Sequence, residues 1–298
     1  MQSFNQLLDL GARVSLSVKR EDLLHPTVSG NKFRKLKYNL AEARRQGLTT
    51  LLTFGGAFSN HIAAVAAAGQ LEGFKTIGVI RGEELASQTA LNPTLETAVE
   101  SGMHLEFVTR GTYRQKSGEA FIGQLRDKFG DFYLIPEGGT NELAVLGCEE
   151  ILTTNDNAYD FICCPVGTGG TMAGLMRAVK PCQQVLGFAA LKGDFLPSEI
   201  CKFASMPRAT VISDYHFGGY GKVDAPLIGF INAFKRQHGI LLDPLYTGKM
   251  MFGVMDKIAN GYFPDGARIL AIHTGGQQGI PGMNSVLKSK NLPTIDYD

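Results

Sequence analysis

The chain has 298 residues and a formal net charge of +1, because 29 lysines and arginines nearly balance 28 aspartates and glutamates. This balance argues against nucleic acid or a membrane surface as a partner, and no apolar run reaches the roughly 18 residues of a membrane span. The length predicts two domains or one large one. Glycine is over-represented, at 36 of 298 residues against a usual share of about 7 %.

The cysteines and the first residues indicate a reducing compartment. The five cysteines are odd in number, two are adjacent, and none forms a C-x-x-C pair. Neither they nor the six histidines have the spacing of metal ligands, so no metal site is predicted. The first ten residues lack a basic stretch followed by an apolar one, so no signal peptide is predicted. We therefore expect free thiols and a cytoplasmic location.

Short apolar runs alternate with helical patterns along the chain. Predicted strands cover 51–54, 76–80, 104–108, 132–135, 161–165, 184–190 and 268–272. Predicted helices begin near residues 30 and 171 and cover 59–71, 92–101, 115–129, 226–237 and 247–260. This alternation predicts an α/β fold with parallel-rich twisted sheets that helices flank on both faces.

Most glycine pairs follow the predicted strands. Gly55-Gly56, Gly138-Gly139, Gly169-Gly170 and Gly275-Gly276 each come just after one. Ligands of open α/β sheets bind beyond the carboxyl ends of the strands. The placement therefore predicts a ligand site to which several loops contribute backbone.

The segment Gly167-Thr168-Gly169-Gly170-Thr171 lies between a buried strand and a helix. Glycines allow backbone N–H groups to converge, and the helix N-terminus favours an anion. No lysine of a nucleotide-binding P-loop follows, which disfavours a triphosphate. Counted from Gly167 as the first position, the sixth position of a G-x-G-x-x-G motif is Met172, which disfavours a dinucleotide. A small phosphate-bearing ligand and a merely tight turn remain the alternatives.

Three other motifs are ambiguous when each is taken alone. Lys32 follows a glycine and an amide at a helix start, where it could attack a carbonyl, although a surface lysine is the commoner case. Ser59 could cap a helix, or its turn could bind a carboxylate. Tyr246-Thr247 and His273-Thr274 could simply pack at loop ends.

Taken together and in this order, the motifs resemble the fold type II pyridoxal-phosphate enzymes, in the branch of 1-aminocyclopropane-1-carboxylate deaminase and D-cysteine desulfhydrase. The similarity runs from about residue 15 to residue 280. The matching segments are Lys19-Arg20-Glu21-Asp22-Leu23, Gly30-Asn31-Lys32 with Arg34-Lys35-Leu36, Ser59-Asn60-His61, Glu137-Gly138-Gly139, Gly167 to Thr171, Gly219-Tyr220-Gly221, Tyr246-Thr247-Gly248-Lys249 and His273-Thr274-Gly275-Gly276.

The resemblance implies pyridoxal 5'-phosphate as cofactor and a role for each matching residue. Lys32 would form the Schiff base with the cofactor, and Asn60 would face the ring hydroxyl. Ser59, with the N–H groups of Asn60 and His61, would bind the substrate carboxylate. The remaining implied roles are phosphate binding by Gly167, Thr168, Gly169, Gly170 and Thr171, contact with the substrate by Tyr220 and Tyr246, and contact with the pyridine ring by Thr247 and Thr274.

Two positions imply the activity within this branch. Thr247 and Thr274 are the residue types of D-cysteine desulfhydrases, whereas the cyclopropane deaminases carry glutamate and leucine there. The resemblance therefore implies α,β-elimination that gives pyruvate, ammonia and sulfide. The cyclopropane amino acid or another D-amino acid remains an alternative, because Phe58 and Ile62 depart from the family pattern. A cofactor carrier or sensor and a binder of phosphosugars are further alternatives.

The resemblance also implies a tryptophan synthase beta-like fold and a homodimer. The expected large domain combines residues 1–39 and 137–298, and the expected small domain covers 40–136. Lys32 would then lie near the junction of the domains, with the site between them. The pairs Gly138-Gly139 and Gly218-Gly219 receive no role from the sequence.

Overall fold

The computed structural model describes residues 3–11, 13–87 and 92–297. Within these ranges the chain forms ten strands. They are β1 (Asn5–Leu8), β2 (Ser15–Lys19), β3 (Thr50–Gly55), β4 (Lys75–Arg81), β5 (Met103–Val108), β6 (Tyr133–Ile135), β7 (Phe161–Val166), β8 (Gln184–Ala189), β9 (Ala209–Ile212) and β10 (Arg268–Ile272).

The strands make two sheets. The larger has the order β1-β2-β10-β7-β8-β9, and the smaller has the order β5-β4-β3-β6. Every neighbouring pair is parallel except β1 with β2. All six residues of β7 are buried, as expected for a central strand that helices cover on both faces. The predicted α/β class with parallel-rich sheets is confirmed.

Eleven α-helices connect the strands in the described ranges. They are α1 (Asn31–Arg45), α2 (Asn60–Glu72), α3 (Pro93–Glu100), α4 (Arg110–Tyr113), α5 (Glu119–Phe129), α6 (Glu142–Glu149), α7 (Gly170–Ala178), α8 (Leu196–Cys201), α9 (Ala225–His238), α10 (Thr247–Ala259) and α11 (Ile280–Ser289). None of these helices is long and apolar enough to cross a membrane.

The predicted elements agree with the observed ones, with one difference. The helix predicted over 115–129 begins only at Glu119, because Gly118 at its N-cap is extended (φ −79°, ψ 134°). The residues before it form the short α4 and a turn. All four strands of the smaller sheet lie between residues 50 and 135. The exact domain boundaries stay a prediction.

Buried ion pairs join the N-terminal segment to the rest of the fold, a role that the sequence did not predict for this motif. Lys19 at the end of β2 contacts Asp156 at 2.7 Å, and both side chains are almost fully buried. Glu21 binds Arg34 of α1 at 2.9 Å. Since an unpaired buried charge is costly, removing either partner would destabilise the fold.

Helix α1 starts with an unusually close backbone approach. Gly30 precedes it with φ +63°, and a Cβ atom added there would lie 1.9 Å from the carbonyl oxygen of Thr274. The N–H of Asn31 donates to the same oxygen at 3.2 Å. The first turn of α1, which carries Lys32, is therefore fixed against the loop that follows β10.

Replacing Gly30 with alanine should strongly destabilise the protein. Gly47 is a matched control, since it also has a positive φ (+70°) but nothing within 4 Å of an added Cβ. We expect Gly47→Ala to lower the free energy of unfolding by about 1 kcal/mol. Gly30→Ala should cost about 2 kcal/mol more, because of the clash. Chemical denaturation of both variants measures this, and equal losses would contradict the close approach.

Candidate active site

A cavity of about 710 Å³ lies at the carboxyl ends of parallel strands from both sheets. The loops after β3, β6, β7, β8 and β10 all contribute to its wall, as does the last residue of β4. This is where open α/β sheets bind ligands, and the volume lies in the usual range for small-molecule sites. The prediction from the glycine pairs therefore agrees with the location of the cavity.

Most of the predicted site residues line this cavity. They are Lys32, Ser59, Asn60, His61, Gly167, Thr168, Gly169, Thr171, Tyr220, Tyr246 and Thr274. Gly170 and Thr247 are buried and do not belong to the wall. Gly170 is the first residue of α7 and lies between Gly169 and Thr171, which both line the cavity.

Lys32 projects from the first turn of α1 and is only partly accessible. Burial, and after it the nearby charge of Lys35, lower the pKa of its amine to about 7. A lysine ordinarily titrates near 10.4. The amine of Lys32 is therefore substantially neutral near physiological pH, which is the nucleophilic form.

Lys35 is a second lysine of the site, for which the motifs predict no role. It lies one turn after Lys32 on the same side of α1 and lines the cavity. Its amine donates to the carbonyl oxygen of Gly138 and to the hydroxyl of Thr140, both at 3.0 Å. These bonds give the pair Gly138-Gly139 a role, which is to hold Lys35. The spacing of three residues between Lys32 and Lys35 in a predicted helix could have indicated that both lysines belong to the site.

The N-terminus of α7 is built to bind an anion. Gly169 occupies the N-cap position with φ +84°, and no side chain among the described residues caps the helix. The first turn contains no acidic residue. The hydroxyls of Thr140 and Thr168 are 2.6 Å apart. Since Thr140 accepts from Lys35, it can donate to Thr168, which leaves the Thr168 proton for a ligand. Free N–H groups, this hydroxyl and the helix dipole all favour negative charge here.

Near the starts of α1 and α2, three buried polar atoms lack a hydrogen-bond partner among the described residues. Ser59 caps the helix by accepting from the N–H of Ile62 at 3.4 Å. The side-chain atoms Asn60 Oδ1, His61 Nδ1 and Ser29 Oγ are buried and have no hydrogen-bond partner in the described residues. All three residues line the cavity. Because buried polar groups are normally satisfied, these atoms point to a bound polar ligand.

The hydrogen bonds of His61 indicate its protonation. Its Nε2 lies 2.8 Å from the hydroxyl of Thr53, which donates to the carbonyl oxygen of Ile135. Nε2 must then donate to Thr53, so the bare Nδ1 is an acceptor. Burial and the two neighbouring lysines hold the pKa of His61 well below its usual value. The side chain is therefore neutral, and only its backbone N–H is suited to binding a carboxylate.

Two tyrosines that line the cavity come together. The ring centroids of Tyr220 and Tyr246 are 6.3 Å apart, and burial raises the pKa of both phenols. Lys249 holds the loop of Tyr220 by donating to the carbonyl oxygens of His216 and Gly219, each at 2.9 Å. This contact gives the pair Gly218-Gly219 a role that the sequence did not supply.

Thr247 binds a buried carboxylate instead of facing the cavity directly. Its hydroxyl donates to Asp243 Oδ1 at 2.8 Å and accepts from the Asp243 N–H at 2.9 Å. Asp243 also accepts from the backbone N–H groups of Leu245, Tyr246 and Thr247. The Thr247 hydroxyl can then accept one further hydrogen bond but cannot donate one. Its contact with a pyridine nitrogen stays a prediction.

Metal ligation finds no support in the part of the chain that the structure describes. No group of three or more histidine, cysteine, aspartate or glutamate side chains there could hold an ion. The chemistry of the cavity instead rests on two lysine amines, hydroxyls and backbone N–H groups.

Comparisons with known proteins show similarity over most of the chain. Residues 3–275 match the family described as pyridoxal-phosphate dependent enzyme. A protein of Pyrococcus horikoshii, provisionally named a 1-aminocyclopropane-1-carboxylate deaminase, is 32 % identical over 91 % of this chain and 86 % of its own length. A protein of Thermotoga maritima with the same provisional name is 31 % identical over 89 % of this chain and 90 % of its own length.

Solved structures show the same fold. The crystal structure of an ACC deaminase homologue superposes with a TM-score of 0.83 and 27 % identity, over 97 % of this chain and 94 % of the other. The O-acetylserine dependent cystathionine β-synthase from Helicobacter pylori gives a TM-score of 0.68 at 16 % identity, over 93 % and 94 %. The second likeness concerns the fold alone.

The lowered pKa of Lys32 predicts how its amine reacts with pH. In protein stripped of any bound small molecule, acetylation of Lys32 should rise with pH through about 7 and then level off. Only the neutral amine reacts, and a lowered pKa makes it available at lower pH. Lys37 on the same helix is the control, because the contact with Glu150 raises the pKa of its amine. Peptide mass spectrometry measures both rates, and parallel profiles would contradict the assignment.

Proposed function

The chain belongs to the pyridoxal-phosphate dependent enzyme family, and we propose that it is a lyase that eliminates sulfide from D-cysteine. This proposal rests on the observation that a lysine amine and a helix N-terminus face the same cavity. The amine of Lys32 and the uncapped N-terminus of α7 both face it. These are the groups that a cofactor with an aldehyde and a phosphate requires.

The residues present fit pyridoxal phosphate. The first N–H groups of α7, with Thr168 and Thr171, would hold the phosphate. Lys32 would bind the aldehyde carbon. The partnerless Asn60 Oδ1 is a hydrogen-bond acceptor, which suits the ring hydroxyl. Thr274 lies on the wall and would contact the pyridine ring.

The chain's own residues would then handle the protons of the substrate. Bound pyridoxal phosphate supplies an electron-withdrawing ring that accepts negative charge from the α-carbon of an amino acid. With its pKa lowered to about 7, the Lys32 amine is largely available in the neutral form and would take the α-proton. Its position at the fixed start of α1 keeps the amine on the cavity wall through these steps.

The other predicted residues would position the substrate. Ser59 and the N–H groups of Asn60 and His61 would bind the carboxylate at the start of α2. The phenols of Tyr220 and Tyr246 have raised pKa values and stay protonated. This pair of phenols would therefore donate a hydrogen bond to a thiolate that leaves the β-carbon. D-cysteine and water would give pyruvate, ammonia and hydrogen sulfide, which balances all atoms.

The choice of substrate rests on two threonines. Thr247 and Thr274 are the types that the resemblance associates with D-cysteine desulfhydrases. The second candidate is the opening of 1-aminocyclopropane-1-carboxylate, which the provisional names of the relatives favour. We further propose a cytoplasmic homodimer, as the resemblance implies. All five cysteines are free thiols, which is compatible with a reducing compartment.

An assay of four amino acids with the holoenzyme tests the proposed function. We expect sulfide and pyruvate from D-cysteine, with a kcat/KM at least about tenfold above that for L-cysteine, which is about 1.4 kcal/mol in the transition state. Ketobutyrate from the cyclopropane amino acid should be weaker than pyruvate from D-cysteine. β-Chloro-D-alanine, which has a good leaving group, should also be consumed.

The controls are two lysine variants of the same helix. Lys32→Ala should abolish turnover and the visible absorption of the bound cofactor, whereas Lys37→Ala at an exposed position should leave both unchanged. Preferred turnover of the cyclopropane amino acid would replace the proposal by the second candidate. A coloured wild-type protein that consumes none of the four would contradict lyase activity on these amino acids and favour a carrier or sensor.

A further inference from the structure

A second cavity of about 600 Å³ opens beside the first. Four residues line both cavities, namely Gly56, Arg81, Lys116 and Glu137. The two spaces are therefore neighbours across a shared wall, and a substrate held in the first can extend toward the second. None of the predicted roles uses this second space.

The second cavity carries an excess of positive charge. Four positively charged residues line it, namely Arg81, Arg110, Arg114 and Lys116. The negatively charged lining residues are Glu84 and Glu137. Both acids are already paired. Glu84 binds Arg110 at 2.7 Å, and Glu137 binds Lys116 at 3.3 Å and accepts from Tyr113 at 2.8 Å.

Two guanidinium groups remain without an acidic partner in the described part of the chain, those of Arg81 and Arg114. Of these, only Arg81 also borders the first cavity. Its guanidinium lies over the ring of Tyr113, 5.6 Å from the centroid. This contact orients the side chain while leaving its N–H donors for a ligand.

Arg81 is the last residue of β4 and lies beside the turn that precedes α2. Its Nη2 atom would be 3.5 Å from a Cβ added to Gly56. Gly56 is three residues before Ser59, whose turn is the proposed binding site of the α-carboxylate. The guanidinium thus lies next to that turn, on the side where the second cavity opens. A group there can reach the side chain of the substrate.

We propose that Arg81 binds a second anionic group, on the side chain of the substrate. The substrate class is then a D-amino acid with a carboxylate, sulfonate or phosphate beyond the β-carbon, attached through the atom that leaves. Arginine suits such groups, because its planar fork donates two parallel hydrogen bonds to them. This inference rests on the proposed function and extends it from D-cysteine to larger β-substituted amino acids.

Binding of D-glutamate and D-glutamine to the holoenzyme tests this inference. The two have nearly the same shape and differ by one distal charge, and neither has a leaving group on the β-carbon. Calorimetry should show that the wild type binds D-glutamate at least about tenfold more tightly than D-glutamine, as a charge-assisted pair requires. In Arg81→Gln this preference should fall to about twofold or less, with the affinity for D-glutamine unchanged.

Arg114→Gln is the matched control. Like Arg81→Gln it removes one positive charge from the second cavity, but Arg114 does not border the first cavity. Arg114→Gln should lower the preference by less than about threefold. Equal weakening of both ligands by Arg81→Gln would overturn the inference and assign Arg81 to the α-carboxylate. Equal affinities in the wild type, or no binding of either ligand, would also overturn it. Sulfide release from D-cysteine needs no second anion, so that assay reports on the proposed function separately.

Discussion

The contact between Gly30 and the carbonyl of Thr274 fixes the part of the fold on which the site depends. Because α1 starts against the loop after β10, Lys32 is held at the cavity wall by backbone and not by a flexible surface loop. The buried pair of Glu21 and Arg34 adds a second attachment for the same helix. A residue that must bind a cofactor and then move a proton gains from such a rigid base.

Burial and charge together explain the chemistry of this wall. Lys32 and Lys35 of α1 both line the cavity, and neither has an acidic partner at hydrogen-bond distance among the described residues. Burial lowers the pKa of both amines. The buried acid Asp243 is occupied by its own turn, which orders Tyr246 and Thr247. An anionic ligand restores the electrostatic balance, since it faces the lysines and the start of α7. The site thus favours a phosphate-bearing cofactor.

The sequence predicted the fold class, most elements and the cavity, because these depend on local patterns. Apolar runs, a glycine-rich turn and helix caps are short-range signals that one segment carries alone. Contacts between distant segments could not be derived in this way. The pairing of Lys19 with Asp156 spans 137 residues, and the bond of Lys35 to Gly138 spans 103. The position of Thr247 behind the wall likewise depends on Asp243, whose role no motif signalled.

The identity of the lysine that holds the cofactor is the central claim, and reduction of the holoenzyme tests it most directly. Borohydride converts a lysine–cofactor linkage into a stable amine, and peptide mass spectrometry then locates the added pyridoxal phosphate. The structure predicts the label on Lys32, whose neutral amine faces the cavity. A label on Lys35 or Lys249 in its place would contradict the account, because both amines are engaged with backbone carbonyls.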